Sequence, residues 1–179
     1  MPAAVEPADA IDRAGARDGT HDALLGAPLF TIFTPTYNRA HTLHRCFDSL
    51  SAQTLRDFEW IVVDDGSTDG TEELVGKWLK TANFPMRYLR QNHLGKHFAF
   101  NKAVVEARGY FTSCLDSDDA LTPDALETLA AVWSAVPENE RAGFCGVDGL
   151  CCDQHGQIVG ERYPKDPLDA SLREMKYVY

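Results

Sequence analysis

The chain has 179 residues, with 17 lysines and arginines against 27 aspartates and glutamates, for a formal net charge of −10. That length suits about one domain, and a hydrophobic content of 44% supplies a full core. The acid excess argues against a nucleic-acid partner, no apolar run approaches the roughly 20 residues that span a bilayer, and no secretory leader is evident, so a cytoplasmic location is expected, with a peripheral seat at a membrane still open.

Met1 to Ala27 show no sustained periodicity and read as a flexible tail, so the globular part begins at Pro28. Leu29 to Thr34 form a short apolar run rich in β formers, a first buried strand. Ala40 to Gln53 place Leu43, Phe47 and Leu50 on one helical face. Phe58 to Val63 read as a second buried strand. In Asp69-Gly70-Thr71-Glu72 an acid caps a helix and the glutamate reaches back, and Leu74, Val75, Trp78 and Leu79 supply that helix's stripe. Met86 to Arg90 predict a weaker strand nearer an edge. Lys96 to Ala107 predict a helix with Phe98, Val105 and several alanines. Tyr110 to Leu115 read as a fourth strand, and Thr122-Pro123 opens a helix carried by Leu126, Leu129 and Trp133.

Such alternation predicts an α/β, Rossmann-like, mostly parallel sheet flanked by helices. After Pro137, Gly143 to Val147 and Gln157 to Tyr163 suggest a hairpin across Asp153 to Gly156, a mixed or antiparallel addition near the C-terminus. Ser171 to Tyr179 read as helical. The cysteines Cys46, Cys114, Cys145, Cys151 and Cys152 are odd in number and read as reduced, mostly buried thiols. With His155 the last three lack the paired spacing of a zinc site.

Ligands of open α/β sheets bind beyond the carboxyl ends of the strands. Here those ends carry Pro35-Thr36-Tyr37-Asn38-Arg39, Asp64-Asp65-Gly66-Ser67-Thr68-Asp69, Gln91-Asn92-His93 with Gly95-Lys96, and Asp116-Ser117-Asp118-Asp119. Asp116 and Asp118 project together on an extended chain, and close carboxylates repel unless a cation neutralises them. Hard oxygen donors suit Mg²⁺ or Mn²⁺. Turn and capping roles compete with that reading for both acid groups. Tyr37 offers a stacking face, Asp64 or Asp65 an acceptor for a ring N–H, and Lys96 a cation at a helix start for phosphate. Together they are the inventory for a nucleoside diphosphate.

Pro35 to Arg39, Gln53-Thr54 ahead of Phe58 to Thr71, and Leu115 to Asp119 with Pro123-Asp124 resemble, in order and spacing, the family 2 glycosyltransferases of the GT-A fold. The similarity runs from about Leu29 to Val136. It implies transfer of a sugar, with inversion, from a nucleotide diphosphate sugar, a UDP-sugar by preference, to a hydroxyl of a glycan, lipid or protein. It implies that Pro35, Thr36 and Tyr37 line the nucleoside and that Asp65 binds the pyrimidine. Asp116, Ser117 and Asp118 then hold the ribose and diphosphate, and Asp116, Asp118 and Asp119 hold the Mn²⁺ or Mg²⁺ ion. Lys96 matches a less regular basic position. Members of the family continue well beyond this motif, so residues 28–179 are expected to be the donor half, with the acceptor half largely absent. No later acid stands out as the general base; Asp148 and Asp153 are nearby but read better as turn residues. Two other readings are weighed. A nucleotide-sugar nucleotidyltransferase opens with a Gly-rich basic loop that Pro35 to Arg39 do not provide, and a non-catalytic nucleotide-binding module would need no acceptor half.

Overall fold

β1 (Phe30–Thr36) and β2 (Phe58–Asp64) are buried at every position, which is why their sequences are near-continuous runs of β-branched and aromatic residues. The computed structural model describes residues 26–160. Nearly all of the expected tail, the helical stretch from Ser171 and the end of the last expected strand lie outside them. The order continues with α1 (His44–Ser51), β2, α2 (Thr71–Thr81), β3 (Met86–Arg90), α3 (Lys96–Glu106), β4 (Phe111–Cys114), α4 (Ala125–Ala135) and a 3₁₀ turn, Arg141–Gly143.

All four strands are parallel, in the order β3-β2-β1-β4. The chain leaves β1 in one direction for β2 and β3 and returns on the other side for β4. The strand order therefore reverses between β1 and β4, the place where such sheets open a crevice. β4 pairs with β1 only as far as Phe33↔Cys114. Pro35, with no N–H to give, stands past the end of that ladder, so its presence in a central strand breaks no bond there.

Successive strand residues face opposite sides. Phe30, Ile32, Phe58, Trp60 and Val62 join Leu43, Leu50, Val75 and Leu126 in one cluster, whereas Phe33, Ile61 and Val63 meet Ala99 and Ala103 of α3 in another. Helices thus cover both faces, as expected. Trp60 is fully buried, its indole N–H donates to Thr34 Oγ1 at 3.0 Å, and each large apolar side chain buried this way contributes roughly 1.5–3 kcal/mol. The Glu59 carboxylate inside the sheet is paired. Glu59 accepts from the Thr31 hydroxyl at 2.9 Å, from the Arg108 N–H at 3.1 Å and from Arg87 at 3.1 and 3.2 Å.

Several expectations change. In α3 Ala99 and Ala103 face the sheet, and Phe100 meets Phe33 edge-on with ring centroids 4.9 Å apart; Phe98 and Val105 are exposed instead. At α2 Asp69 does accept from the Thr71 N–H at 3.2 Å, but Glu72 pairs with Arg90 instead of reaching back. Of the cysteines, only Cys46 is buried.

The antiparallel addition is also not found as a sheet. Gly143 closes the 3₁₀ turn and Phe144 to Val147 are irregular. Gly143, Gly146 and Gly149 leave that stretch few side chains to pack, which weakens a strand. A second unit begins at Val147. Within it a turn over Asp153 to Gly156 is closed by a single antiparallel bridge, Cys152↔Ile158. Asp153 Oδ1 accepts from the N–H groups of His155 and Gln157 at 2.8 and 2.9 Å, so it is a turn residue. Among the described residues no helix is long and apolar enough to cross a membrane.

Gly109 is wedged against β1. A Cβ there would stand 2.3 Å from the Thr31 nitrogen and 2.8 Å from the Phe111 oxygen. Backbone on both sides cannot yield as a side chain tip would. Gly109→Ala is expected to lower stability by about 2–3 kcal/mol, read as a lower urea midpoint at unchanged slope; an unchanged midpoint would show that the turn before β4 relaxes freely.

Candidate functional site

The carboxyl ends of the four strands carry the polar loops in which the sequence places its chemistry. β1 ends in Thr36 and Tyr37. Pro35 and Thr36 are buried in the strand, and the Thr36 hydroxyl is a buried polar group with no hydrogen-bond partner. Tyr37 emerges with 43% of its surface exposed. The next loop is stitched to the one after β2: the Asn38 N–H donates to Ser67 Oγ, and Asn38 Oδ1 accepts from the Thr68 N–H, both at 2.8 Å. Asn38 needs a positive φ of 53° to do so, a conformation asparagine tolerates.

Asp64 and Asp65 divide the work. Asp64, the last residue of β2, is spent on structure, accepting from the Ser67 N–H at 2.8 Å and from the Tyr88 hydroxyl. Asp65 is buried and organises the loop between β3 and α3. Its Oδ1 accepts from Gln91 Nε2 at 2.7 Å and the Leu94 N–H at 2.8 Å; its Oδ2 accepts from the Gly95 N–H at 2.9 Å and lies 3.0 Å from His93 Nδ1. Burial alone would raise its pKa, but the donors from Gln91, Leu94 and Gly95, with His93, outweigh it and hold the carboxyl below its ordinary value. Gly66 lets this loop come close: φ is 86°, and a Cβ would meet the His93 nitrogen at 3.2 Å.

The His93 ring stacks on Tyr37 with centroids 4.1 Å apart. Beyond it, Lys96 opens α3, and its Nζ lies 2.8 and 2.9 Å from the two oxygens of Asp116. Contacts therefore run from Tyr37 through His93 and Asp65 to the Gly95 N–H, and the next residue in the chain, Lys96, carries the line on to Asp116.

The loop Asp116-Ser117-Asp118-Asp119 is held by its backbone. The Cys46 thiol donates toward the carbonyls of Asp116 and Asp119 at 3.2 and 3.4 Å, and Arg45 Nη1 donates to the Asp118 carbonyl at 3.2 Å. Burial pushes that thiol up to about 12, so it stays a neutral donor. Gln53 braces the far side, donating to the Thr122 carbonyl at 2.8 Å and accepting from the Leu126 N–H at 3.2 Å. Ser117 is buried, while Asp118 and Asp119 are exposed. Burial, and then the neighbouring Asp118 and Asp116 carboxylates, push the Asp119 carboxyl up. That repulsion is what a cation relieves. Among the described residues no three His, Cys, Asp or Glu side chains form a ready cage for one. The donors still fit Mg²⁺ or Mn²⁺, which bind through one or two carboxylates plus substrate phosphates.

The structure thus brings Tyr37, Asp65, Lys96 and Asp116 into one connected site. Sequence reading missed Arg45 and Cys46, which act through contacts to the loop backbone that no local pattern announces, and Gln91 was legible only as part of a polar strand end. His93 was legible only as a polar residue at a strand end.

Removing the Asp65 carboxylate leaves the Leu94 and Gly95 N–H groups without their acceptor, so Asp65→Ala is expected to cost about 1–3 kcal/mol for each. The depressed pKa sets a pH dependence. The carboxylate's contribution is full above its unfolded pKa of about 4 and is lost as pH falls through the lower folded value. The stability gap between wild type and Asp65→Asn should therefore narrow on acidification below about pH 4, read from urea midpoints; a constant gap would show that the carboxylate's charge is irrelevant to the loop.

The sequence model described as glycosyl transferase family 2 matches residues 31–144. A chondroitin synthase of Pasteurella multocida is 44% identical over 117 residues, 60% of this chain and 12% of that protein. S. aureus TarS 1–349, solved in complex with UDP-GlcNAc, superposes with a TM-score of 0.52 at 35% identity, covering 57% of this chain and 30% of that one. The mannosyltransferase PcManGT of Pyrobaculum calidifontis, solved with GDP-Man and Mn²⁺, gives a TM-score of 0.54 at 32% identity, covering 64% and 34%. The chain therefore spans about a third or less of each of these proteins. Matched over more than half of its length and sharing their parallel sheet, it has the GT-A type of fold and belongs to glycosyl transferase family 2.

Proposed function

We propose that this chain binds a nucleotide diphosphate sugar, a UDP-sugar, and is the donor-binding part of a glycosyltransferase that passes the sugar, with inversion, to a hydroxyl of a glycan, lipid or protein. The observation that carries this reading is the run of contacts from Tyr37 through His93 and Asp65 to Gly95, and from its chain neighbour Lys96 to Asp116, along the crevice edge of the sheet. The UDP-GlcNAc and GDP-Man bound by two relatives support the donor class.

Tyr37 offers its exposed face to the base, and the unpartnered Thr36 hydroxyl beside it is a buried group that a ligand would satisfy. Asp65 marks the base's polar edge. Asp116, Ser117 and Asp118 hold the ribose and diphosphate, and Lys96, on a flexible stem at the start of α3, reaches phosphate oxygens. Asp116, Asp118 and Asp119 would hold a Mn²⁺ or Mg²⁺ ion, which when bound stabilises negative charge on the departing diphosphate. The acceptor oxygen attacks the anomeric carbon from the face opposite the diphosphate, forms the new C–O bond as the old one breaks, and gives its proton to a general base. Among the described residues the proposed roles leave no sheet-edge acid for that base, and in this reading the base and the acceptor site lie in the part of its relatives' length that the chain does not cover. Free thiols are consistent with a cytoplasmic setting.

Calorimetric titration tests the reading. UDP is expected to bind in the presence of Mn²⁺ and at least about tenfold more weakly without it, and Asp118→Asn should remove that gain, a loss of about 1.4 kcal/mol. Binding indifferent to both changes would refute the metal assignment. The chain alone is expected to bind UDP-GlcNAc without transferring its sugar; steady transfer would refute the donor-half reading.

A further inference from the structure

Two side chains of one loop stand where the proposed function seats two parts of the ligand. His93 lies flat on Tyr37, centroids 4.1 Å apart and planes 26° from parallel. Its Nδ1 is 3.0 Å from Asp65 Oδ2 and 3.3 Å from the Asp65 carbonyl oxygen. A pyrimidine bound as proposed would make the same pair of contacts, a ring face on Tyr37 and a ring N–H on Asp65. Three residues on, Lys96 Nζ straddles both oxygens of Asp116 at 2.8 and 2.9 Å, the seat proposed for a divalent ion.

We propose that His93 and Lys96 are internal stand-ins for the donor and its ion. In the ligand-free protein His93 fills the base's seat and Lys96 the cation's, and both withdraw when the ligands arrive. The inference rests on the donor reading above and adds to it the residues that set affinity.

Competition follows from occupancy. A carboxylate offers about four lone-pair sites. Those of Asp65 are engaged by Gln91, Leu94, Gly95 and His93, so a base N–H gains a place only when one partner leaves. The Leu94 and Gly95 N–H groups belong to the loop backbone, and Gln91 is partly buried. The His93 side chain, 60% exposed, is the partner free to go. Two rings stacked this closely also leave no gap for a third between them. Lys96 is similarly loose, with 65% of its side chain exposed, and an exposed ion pair is weak enough for a divalent ion to displace. The freed ammonium, still tethered beside Gly95, then lies within reach of the diphosphate. Since both stand-ins hang from the loop that Asp65 anchors, they return together when the product leaves.

The test uses the full 179-residue chain. His93→Ala is expected to bind UDP with Mn²⁺ about two- to five-fold tighter than wild type, and Lys96→Gln to bind Mn²⁺ alone tighter by about the same factor. Weaker or unchanged UDP binding by His93→Ala, or weaker or unchanged Mn²⁺ binding by Lys96→Gln, overturns the proposal. Because alanine at 93 also loosens the loop, the wild type provides a second readout. The Tyr37 ring should shift the His93 ring-proton NMR signals upfield, and saturating UDP with diamagnetic Mg²⁺ should abolish that shift; its persistence overturns the proposal. Absence of UDP binding by the wild type overturns the donor reading and this one together, whereas normal wild-type binding with no gain in either variant overturns this one alone.

Discussion

The carboxylate of Asp65 is the constraint on which the site depends. It is a charge taken out of water just beyond β2, and it is tolerable only because donors surround it. Those donors are supplied by a loop that begins at the end of β3 and ends at the start of α3. The electrostatics of one residue therefore set the path of five, and that path puts His93 on Tyr37 and Lys96 on Asp116. The Gln91 N–H also donates to the Asp64 carbonyl, but only the Asp65 carboxylate holds the Leu94 and Gly95 N–H groups, the residues just before Lys96.

Much of this was legible in the sequence. Buried parallel strands announce themselves by uninterrupted apolar runs, and helices by a period near 3.6, so the βα alternation and the carboxyl-edge location of Tyr37, Asp65, Lys96 and Asp116 follow from residues alone. What escaped reading shares one physical character. Whether Phe98 or Ala99 faces the sheet depends on how closely α3 can approach Phe33 and Val63, a tertiary matter invisible to hydrophobicity. Whether Gly143 to Val147 makes a strand depends on a partner to pair with, and β propensity carries no information about partners.

Asp65 is the more instructive case. As a residue type in that motif it reads as a ligand acceptor. In the fold its oxygens already have partners within the chain. The two descriptions are compatible when one partner is exchangeable, and exposure separates the ring that can leave from the backbone groups that cannot. A lone pair count thus says more about this residue than its identity does.

The acid loop after β4 is fastened from behind. Arg45, Cys46 and Gln53 grip main-chain atoms around it, and their hydrogen bonds there go to carbonyls rather than to the aspartate carboxylates. Scaffold and chemistry are consequently uncoupled at these positions. On the reading proposed above, exchange of one acid for glutamate or asparagine would change which ion is held while the cradle kept its shape, a route for variation that does not pass through misfolding.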